Sequence, residues 1–288
     1  MNILVTGSNG QLGSELKAIS TRYQGHSFVF TDVDELDITD SQKVFELFKK
    51  NEFDAVINSA AYTAVDKAET ENDLASQINA LAVENIVKAC GEYSAKLVHI
   101  STDYVFNGEY YLPLSESETA APLGVYGLTK REGEEFVINS SIDGIVIRTS
   151  WLYSSFGNNF VKTMLRLGAE RKSLGIIFDQ IGTPTYAADL AVVIMNVISS
   201  ENRMDTKGKV YHFSNEGVAS WYDFAKAIFE LAEINCDIKP IETQDYPTPA
   251  KRPHFSVMNK AKIKNDFKII IPYWRDSLKT CIQLLQRS

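Results

Sequence analysis

Asn2-Ile3-Leu4-Val5-Thr6-Gly7-Ser8-Asn9-Gly10-Gln11-Leu12-Gly13 is the stretch on which the fold is decided. Residues 2–6 are a short apolar run, the pattern of a buried strand, and Ser14 to Ile19 continue as a helix. Between them the glycines occupy the first, fourth and seventh places of a strand-to-helix turn. Gly7 permits a tight turn, Gly10 lets the backbone approach a pyrophosphate, and Gly13 allows close helix–strand packing. Amides at the start of such a helix face phosphates, and its dipole favours their negative charge. The spacing predicts a dinucleotide cradle drawn from Gly7, Asn9, Gly10, Gln11, Leu12 and Gly13.

Strand and helix patterns alternate onward from that turn. Strands are expected at 2–6, 28–31, 54–58, 96–101 and 144–149, with helices at 11–20, 40–50, 72–92 and 126–139. Thr39, Asp40 and Ser41 offer N-caps for the second helix. The alternation argues for an α/β fold, a doubly wound Rossmann-type parallel sheet with helices on both faces. Residues 107–124, holding Gly108, Pro113 and Pro122, form a long loop of the kind that is functional or mobile. Past 150 the rhythm loosens. Helices are expected at 158–172, 187–199, 220–234 and 274–285, and strands at 175–178 and 210–213. The expected division is a dinucleotide-binding domain at 1–150, rejoined by 174–200, and a smaller, discontinuous α+β substrate-binding portion at 151–288.

Chemistry-bearing residues fall at the expected rim. Ser101 and Thr102 follow the apolar run Leu97-Val98-His99-Ile100, and ligands of open α/β sheets bind outside the carboxyl ends of strands. A Thr102 hydroxyl there can donate to a carbonyl oxygen, although it can also merely cap the strand. Tyr126 and Lys130 stand four apart, which places phenol and ammonium on one helical face. A neighbouring cation stabilises phenolate, so Tyr126 is expected to have a lowered pKa and to exchange a proton with a sugar or alcohol oxygen. Asp32 ends the second strand 19 residues after Gly13, where an acid can bond an adenosine ribose diol.

Composition narrows the class. The 288 residues suit one large domain or two joined intimately, and 44% hydrophobic with 23% charged residues is ordinary for a globular protein. A net charge of −8 argues against nucleic acid or an anionic membrane as partner. Cys90, Cys236 and Cys281 are odd in number and far apart, so they read as reduced thiols and not as a metal site. His99, inside an apolar strand, reads as a core histidine. With no apolar stretch near the length of a membrane span and no signal segment, a cytoplasmic location is expected.

Taken together these residues resemble the extended short-chain dehydrogenase/reductase family, and within it the reductases of dTDP-linked 4-keto sugars. The specific blocks are Ala61 to Glu69 and Arg148-Thr149-Ser150-Trp151-Leu152-Tyr153; Ser101 to Phe106 and Pro249-Ala250-Lys251-Arg252-Pro253 add to them. The resemblance implies an enzyme that reduces dTDP-6-deoxy-L-lyxo-4-hexulose to dTDP-L-rhamnose with NADH, preferred, or NADPH. It implies Thr102, Tyr126 and Lys130 as catalytic residues, with Tyr126 and Lys130 also at the cofactor. Asp37 and Ile38 would lie beside adenine, and Ala60, Ala61, Tyr62 and Thr63 near the cofactor's middle. Asp103 and Trp151 would face the sugar, and Arg252 the substrate diphosphate. A small-molecule nucleotide sugar is then the partner, with a homodimer as the expected assembly. Some relatives hold a divalent ion through an acid at the Glu15 position, but an exposed first-turn glutamate needs no such role, and no metal is expected. His254 departs from the small residue common after the Arg-Pro pair. Two rivals are a related nucleotide-sugar reductase, dehydratase or epimerase, and a non-catalytic dinucleotide-binding regulatory subunit. Sugar dehydratases carry an acidic pair where this chain has Asp103-Tyr104, and non-catalytic regulatory subunits resemble the same family.

Overall fold

A computed structural model describes residues 1–200 and 207–287; 201–206 and 288, within the expected 151–288 portion, lie outside the described residues. In chain order the first half runs β1 (Asn2–Thr6), α1 (Gln11–Ile19), β2 (Ser27–Thr31), α2 (Ser41–Asn51) and β3 (Ala55–Asn58). It continues with α3 (Val65–Ala68), α4 (Asn72–Ser76), α5 (Ala82–Tyr93), β4 (Lys96–Thr102), α6 (Val125–Ile138) and β5 (Gly144–Thr149). The second half holds β6 (Leu152–Tyr153), α7 (Phe160–Glu170), β7 (Ser173–Ile177), β8 (Ile181–Gly182), β9 (Thr185–Tyr186) and α8 (Ala187–Ser199). Then come β10 (Lys209–His212), β11 (Ala219–Ser220), α9 (Trp221–Ala232), β12 (Asp237–Ile241), α10 (Ala261–Phe267) and α11 (Trp274–Leu285).

Six parallel strands build the central sheet in the order β2-β1-β3-β4-β5-β10. Connections run outward in both directions from β1, so the switch point lies between β1 and β3, where a crevice opens at the strands' carboxyl ends. Alternate strand residues feed opposite faces. Ile3, Val5, Ile57 and Ile147 pack under α1 and α8, whereas Leu4, Val56, Leu97 and Val146 pack under α2 and α5. A third core joins Tyr153, Met164, Phe224, Ile228, Trp274 and Leu278 in the C-terminal portion.

Two local features differ from expectation for physical reasons. The helix expected over 72–92 is broken by a π turn at Gln77–Leu81, which turns the Asn79 side chain inward to the Tyr62 backbone. Segment 174–200 divides: α8 packs into the sheet's core, while β7 leaves the main sheet and pairs with β12. β12 has no apolar alternation to announce it, since Asp237-Ile238-Lys239-Pro240-Ile241 has the composition of an edge strand. The long 107–124 loop is pinned, since Leu114 exchanges backbone hydrogen bonds with Val257 and Asn259 at 2.8 and 2.7 Å. Asp40 caps α2 through the Lys43 amide, and Ser220 caps α9 in a capping box with Asp223. No helix among the described residues is long and apolar enough to cross a membrane.

Candidate active site

One cleft of about 1050 Å³ opens at the switch point. Gly7, Asn9, Gly10, Gln11, Leu12, Gly13, Asp32, Asp37, Ile38, Ala60, Ala61 and Thr63 line one side of it. Thr102, Asp103, Tyr126, Lys130 and Trp151 line the other. Tyr62 and Arg252 do not line it. The Tyr62 phenol turns outward and donates to Glu71 at 2.5 Å, a bond that pushes its pKa up to about 12. Arg252 forms a forked pair with Asp66 at 3.1 and 2.9 Å and also donates to Thr248 and the Ala250 carbonyl. These bonds hold the guanidinium in place within the protein.

The glycine turn is shaped as a cradle. Gly7 has φ +67°, and a Cβ there would stand 2.6 Å from the Ala60 amide nitrogen. A Cβ on Gly13 would collide with the Gly7 carbonyl and Ser8, so α1 rests directly on the turn. A Cβ on Gly10 would meet only the Gly7 carbonyl oxygen, at 3.2 Å, leaving that backbone open to the cleft. Such a strip, at a helix start without a side-chain cap, fits the pyrophosphate of a dinucleotide. Asp32 braces it: its Oδ2 accepts from the Asn9 amide at 2.8 Å and its Oδ1 from Val33 at 2.9 Å. Asp37 accepts from both the amide and the hydroxyl of Thr39, which hold its pKa below the ordinary range.

Across the cleft, α6 presents Tyr126 and Lys130 one turn apart, next to Thr102 at the end of β4. The Lys130 ammonium, 2% exposed, does not spend itself on the phenol. It donates to the Ile100 carbonyl at 2.7 Å and lies 3.5 Å from His99 Nε2. Burial lowers its pKa to about 8, against the pull of Glu134. Burial likewise pushes Tyr126 up to about 12, opposed by a hydrogen bond with the Thr102 side chain. The expected lowering of the Tyr126 pKa is thus reversed, because desolvation outweighs a cation engaged elsewhere. His99 is fully buried, and burial with the Lys130 charge keeps it neutral. Asp103, 1% exposed, accepts from Thr102 at 3.2 Å, and burial raises its pKa to about 6.

At Trp151 the wall of the cleft is aromatic. Trp151 has φ +49° and stacks on Trp221 with ring centroids 3.7 Å apart. A Cβ on Gly182 would lie 2.8 Å from the Trp151 ring, so that glycine admits the indole. Trp221, Gly182, Asn158, Asn159 and Asn79 were not singled out from the sequence. Only Gly182, in its Gly-Thr-Pro run, and Asn79, a polar residue in an apolar helical pattern, left a local signal. Glu15 is buried under Ser154 and not exposed as expected, and no group of three or more potential metal ligands occurs among the described residues.

Comparison with known proteins gives the family. The model of the RmlD substrate binding domain matches residues 1–287. A dTDP-4-dehydrorhamnose reductase of Aggregatibacter actinomycetemcomitans is 40% identical, over 96% of this chain and 97% of the relative. The crystal structure of a dTDP-4-dehydrorhamnose reductase from Clostridium acetobutylicum is 42% identical with a TM-score of 0.94, covering 99% of this chain and all of the other. A third reductase of that name, from Bacillus anthracis and solved in complex with NADP, is 38% identical with a TM-score of 0.93, covering 98% and 99%. A doubly wound sheet, a glycine cradle facing Thr102, Tyr126 and Lys130, and end-to-end similarity converge: the chain belongs to the RmlD family of nicotinamide-dependent oxidoreductases.

Proposed function

We propose that the protein reduces the 4-keto group of dTDP-6-deoxy-L-lyxo-4-hexulose, giving dTDP-L-rhamnose. A bound NADH or NADPH would supply the hydride. The chain's own part is binding, orientation and the proton. Gly7 to Gly13 hold the pyrophosphate, Asp32 accepts from the adenosine ribose, and Asp37 and Ile38 flank adenine. Ala60, Ala61 and Thr63 wall the middle of the cofactor, and Lys130 holds the ribose next to nicotinamide. Thr102 polarises the substrate carbonyl, and Tyr126 gives its proton to the oxygen as the C4–H bond forms. A phenol with its pKa near 12 is protonated throughout the neutral range, which suits a donor in the reducing direction. Asp103 and Trp151 position the sugar.

The observation that carries this reading is that the proton donors and the glycine cradle line a single cleft. Its test is a steady-state assay of reduced-nicotinamide absorbance with the dTDP-4-keto sugar supplied by upstream enzymes. Consumption dependent on that sugar is expected, and none with dTDP-glucose. Release of a 4-keto-6-deoxy product from dTDP-glucose at a comparable rate would replace the reductase with a dehydratase.

A further inference from the structure

Helix α1 grips more than a phosphate site. Gln11 and Glu15, one turn apart on its surface, both reach segment 152–159, which leads from Trp151 into α7. Glu15 is 5% exposed, and one of its carboxylate oxygens accepts from the fully buried Ser154 hydroxyl at 2.6 Å. Ser154 Oγ in turn accepts from the Phe156 amide at 2.9 Å. Asn159 donates to Gln11 at 3.0 Å and to the Ser154 carbonyl at 2.8 Å. Gly157, at φ +62°, lies over Gln11, so that a Cβ there would come within 3.1 Å of the Gln11 side chain. The same segment lines the cleft through Gly157, Asn158 and Asn159.

A carboxylate buried against one hydroxyl costs stability, and Asp189 nearby adds to that cost. An apolar side chain would pack this position without the penalty. What the carboxylate adds is direction, a short bond from the dinucleotide helix to a loop on the sugar side. We propose that Glu15 is a positioning residue: through Ser154 it couples the glycine cradle to segment 152–159, so that a bound dinucleotide holds that segment, and Trp151 before it, in place. The placing of Trp151 against the sugar rests on the nucleotide-sugar reading, whereas the coupling itself does not.

Backbone hydrogen exchange of the full-length protein, with and without NAD⁺, separates the two. In wild type NAD⁺ protects both 7–13 and 152–159. Glu15→Ala keeps the protection of 7–13 and loses that of 152–159. Glu15→Gln, whose amide oxygen still accepts from Ser154, retains both, and Ser154→Ala repeats the Glu15→Ala result and serves in its place if Glu15→Ala does not fold. Wild-type exchange at 152–159 that ignores NAD⁺, or full protection there without the Glu15–Ser154 bond, overturns the proposal. In the enzymatic arm, Ser154→Ala raises KM for the keto sugar about tenfold, the worth of one lost hydrogen bond to a charged group, and dinucleotide affinity shifts by no more than that factor, because the coupling is reciprocal. Failure of the wild type to turn over the sugar would sink the reductase reading and leave the exchange result standing.

Discussion

The Asn79 amide holds the Tyr62 backbone at both ends, accepting from its N–H at 2.9 Å and donating to its carbonyl at 3.1 Å. Asn79 also donates to Thr129 at 3.2 Å, so a π turn ties the 60–63 wall of the cleft to α6. Asn79→Ala strands these buried groups and should cost roughly 1–3 kcal/mol of stability. It should also weaken dinucleotide binding, because Ala60, Ala61 and Thr63 lose their brace. A denaturation midpoint and a dinucleotide Kd both indistinguishable from wild type would remove Asn79 from this role.

Tyr126→Phe preserves the edge-on ring contact with Tyr104 and deletes the proton. Turnover should fall by roughly 10²–10⁴-fold with cofactor affinity kept. A variant that retains most of its kcat would place the proton elsewhere.

Lys130 carries its charge below about pH 8 in the folded chain, against the ordinary lysine value of 10.5. The free enzyme therefore loses the cation for the ribose as pH rises through about 8, and kcat/KM for the dinucleotide should decline there. Stability moves the other way. From about 8 to 10.5 the unfolded chain binds more protons at this residue, so its contribution to unfolding free energy rises with pH. A pH–rate profile without a break in that region would contradict the assignment of Lys130 to the cofactor.

Asp103 shows the reverse pattern to most acids, because burial raises its pKa from 3.8 to about 6. Between those values the native state binds more protons than the unfolded one, so stability falls as pH rises and the full cost persists above 6. That cost is on the order of 3 kcal/mol. Asp103→Asn should therefore melt higher at neutral pH and lose the acid-side dependence, while KM for the sugar rises. A lower melting temperature at pH 7 would show that the carboxylate is stabilising where it stands.

Cofactor choice follows from the cleft's charge. Among the described residues that line it, Lys130 is the single basic side chain, whereas Asp32 and Asp37 line the part proposed for the adenosine. A 2′-phosphate beside one carboxylate at 4 Å is opposed by roughly 4 kcal/mol at an effective dielectric near 20, before screening. NADH should exceed NADPH in kcat/KM, and Asp32→Ala should narrow the gap while loosening the Asn9 turn. Equal use of the two by wild type would refute this.

The glycine turn, the strands around it and the Tyr126 pair were legible because each depends on local spacing. Gly7, Gly10 and Gly13 announce a turn whatever follows, and the apolar runs of β1, β3, β4 and β5 suit strands covered on both faces. What escaped depends on partners distant in the chain. Nothing local to Arg252 points to Asp66, 186 residues away, with which it pairs. Lys130 looked aimed at Tyr126, but the Ile100 carbonyl competes for the same ammonium. Trp221 carries no mark of its meeting with Trp151, whose backbone is left-handed and whose ring needs the bare Gly182 beside it.

The position of β10 has a consequence for synthesis. Strands β1 to β5 are complete once residue 149 leaves the ribosome, yet the sixth strand pairs with β5 only after residues 209–212 have been made. Until then the all-buried strand Gly144–Thr149 has an open edge, the kind of surface on which nascent chains aggregate. A chain that stops at residue 200 would keep every residue of the glycine cradle and still leave that edge uncovered.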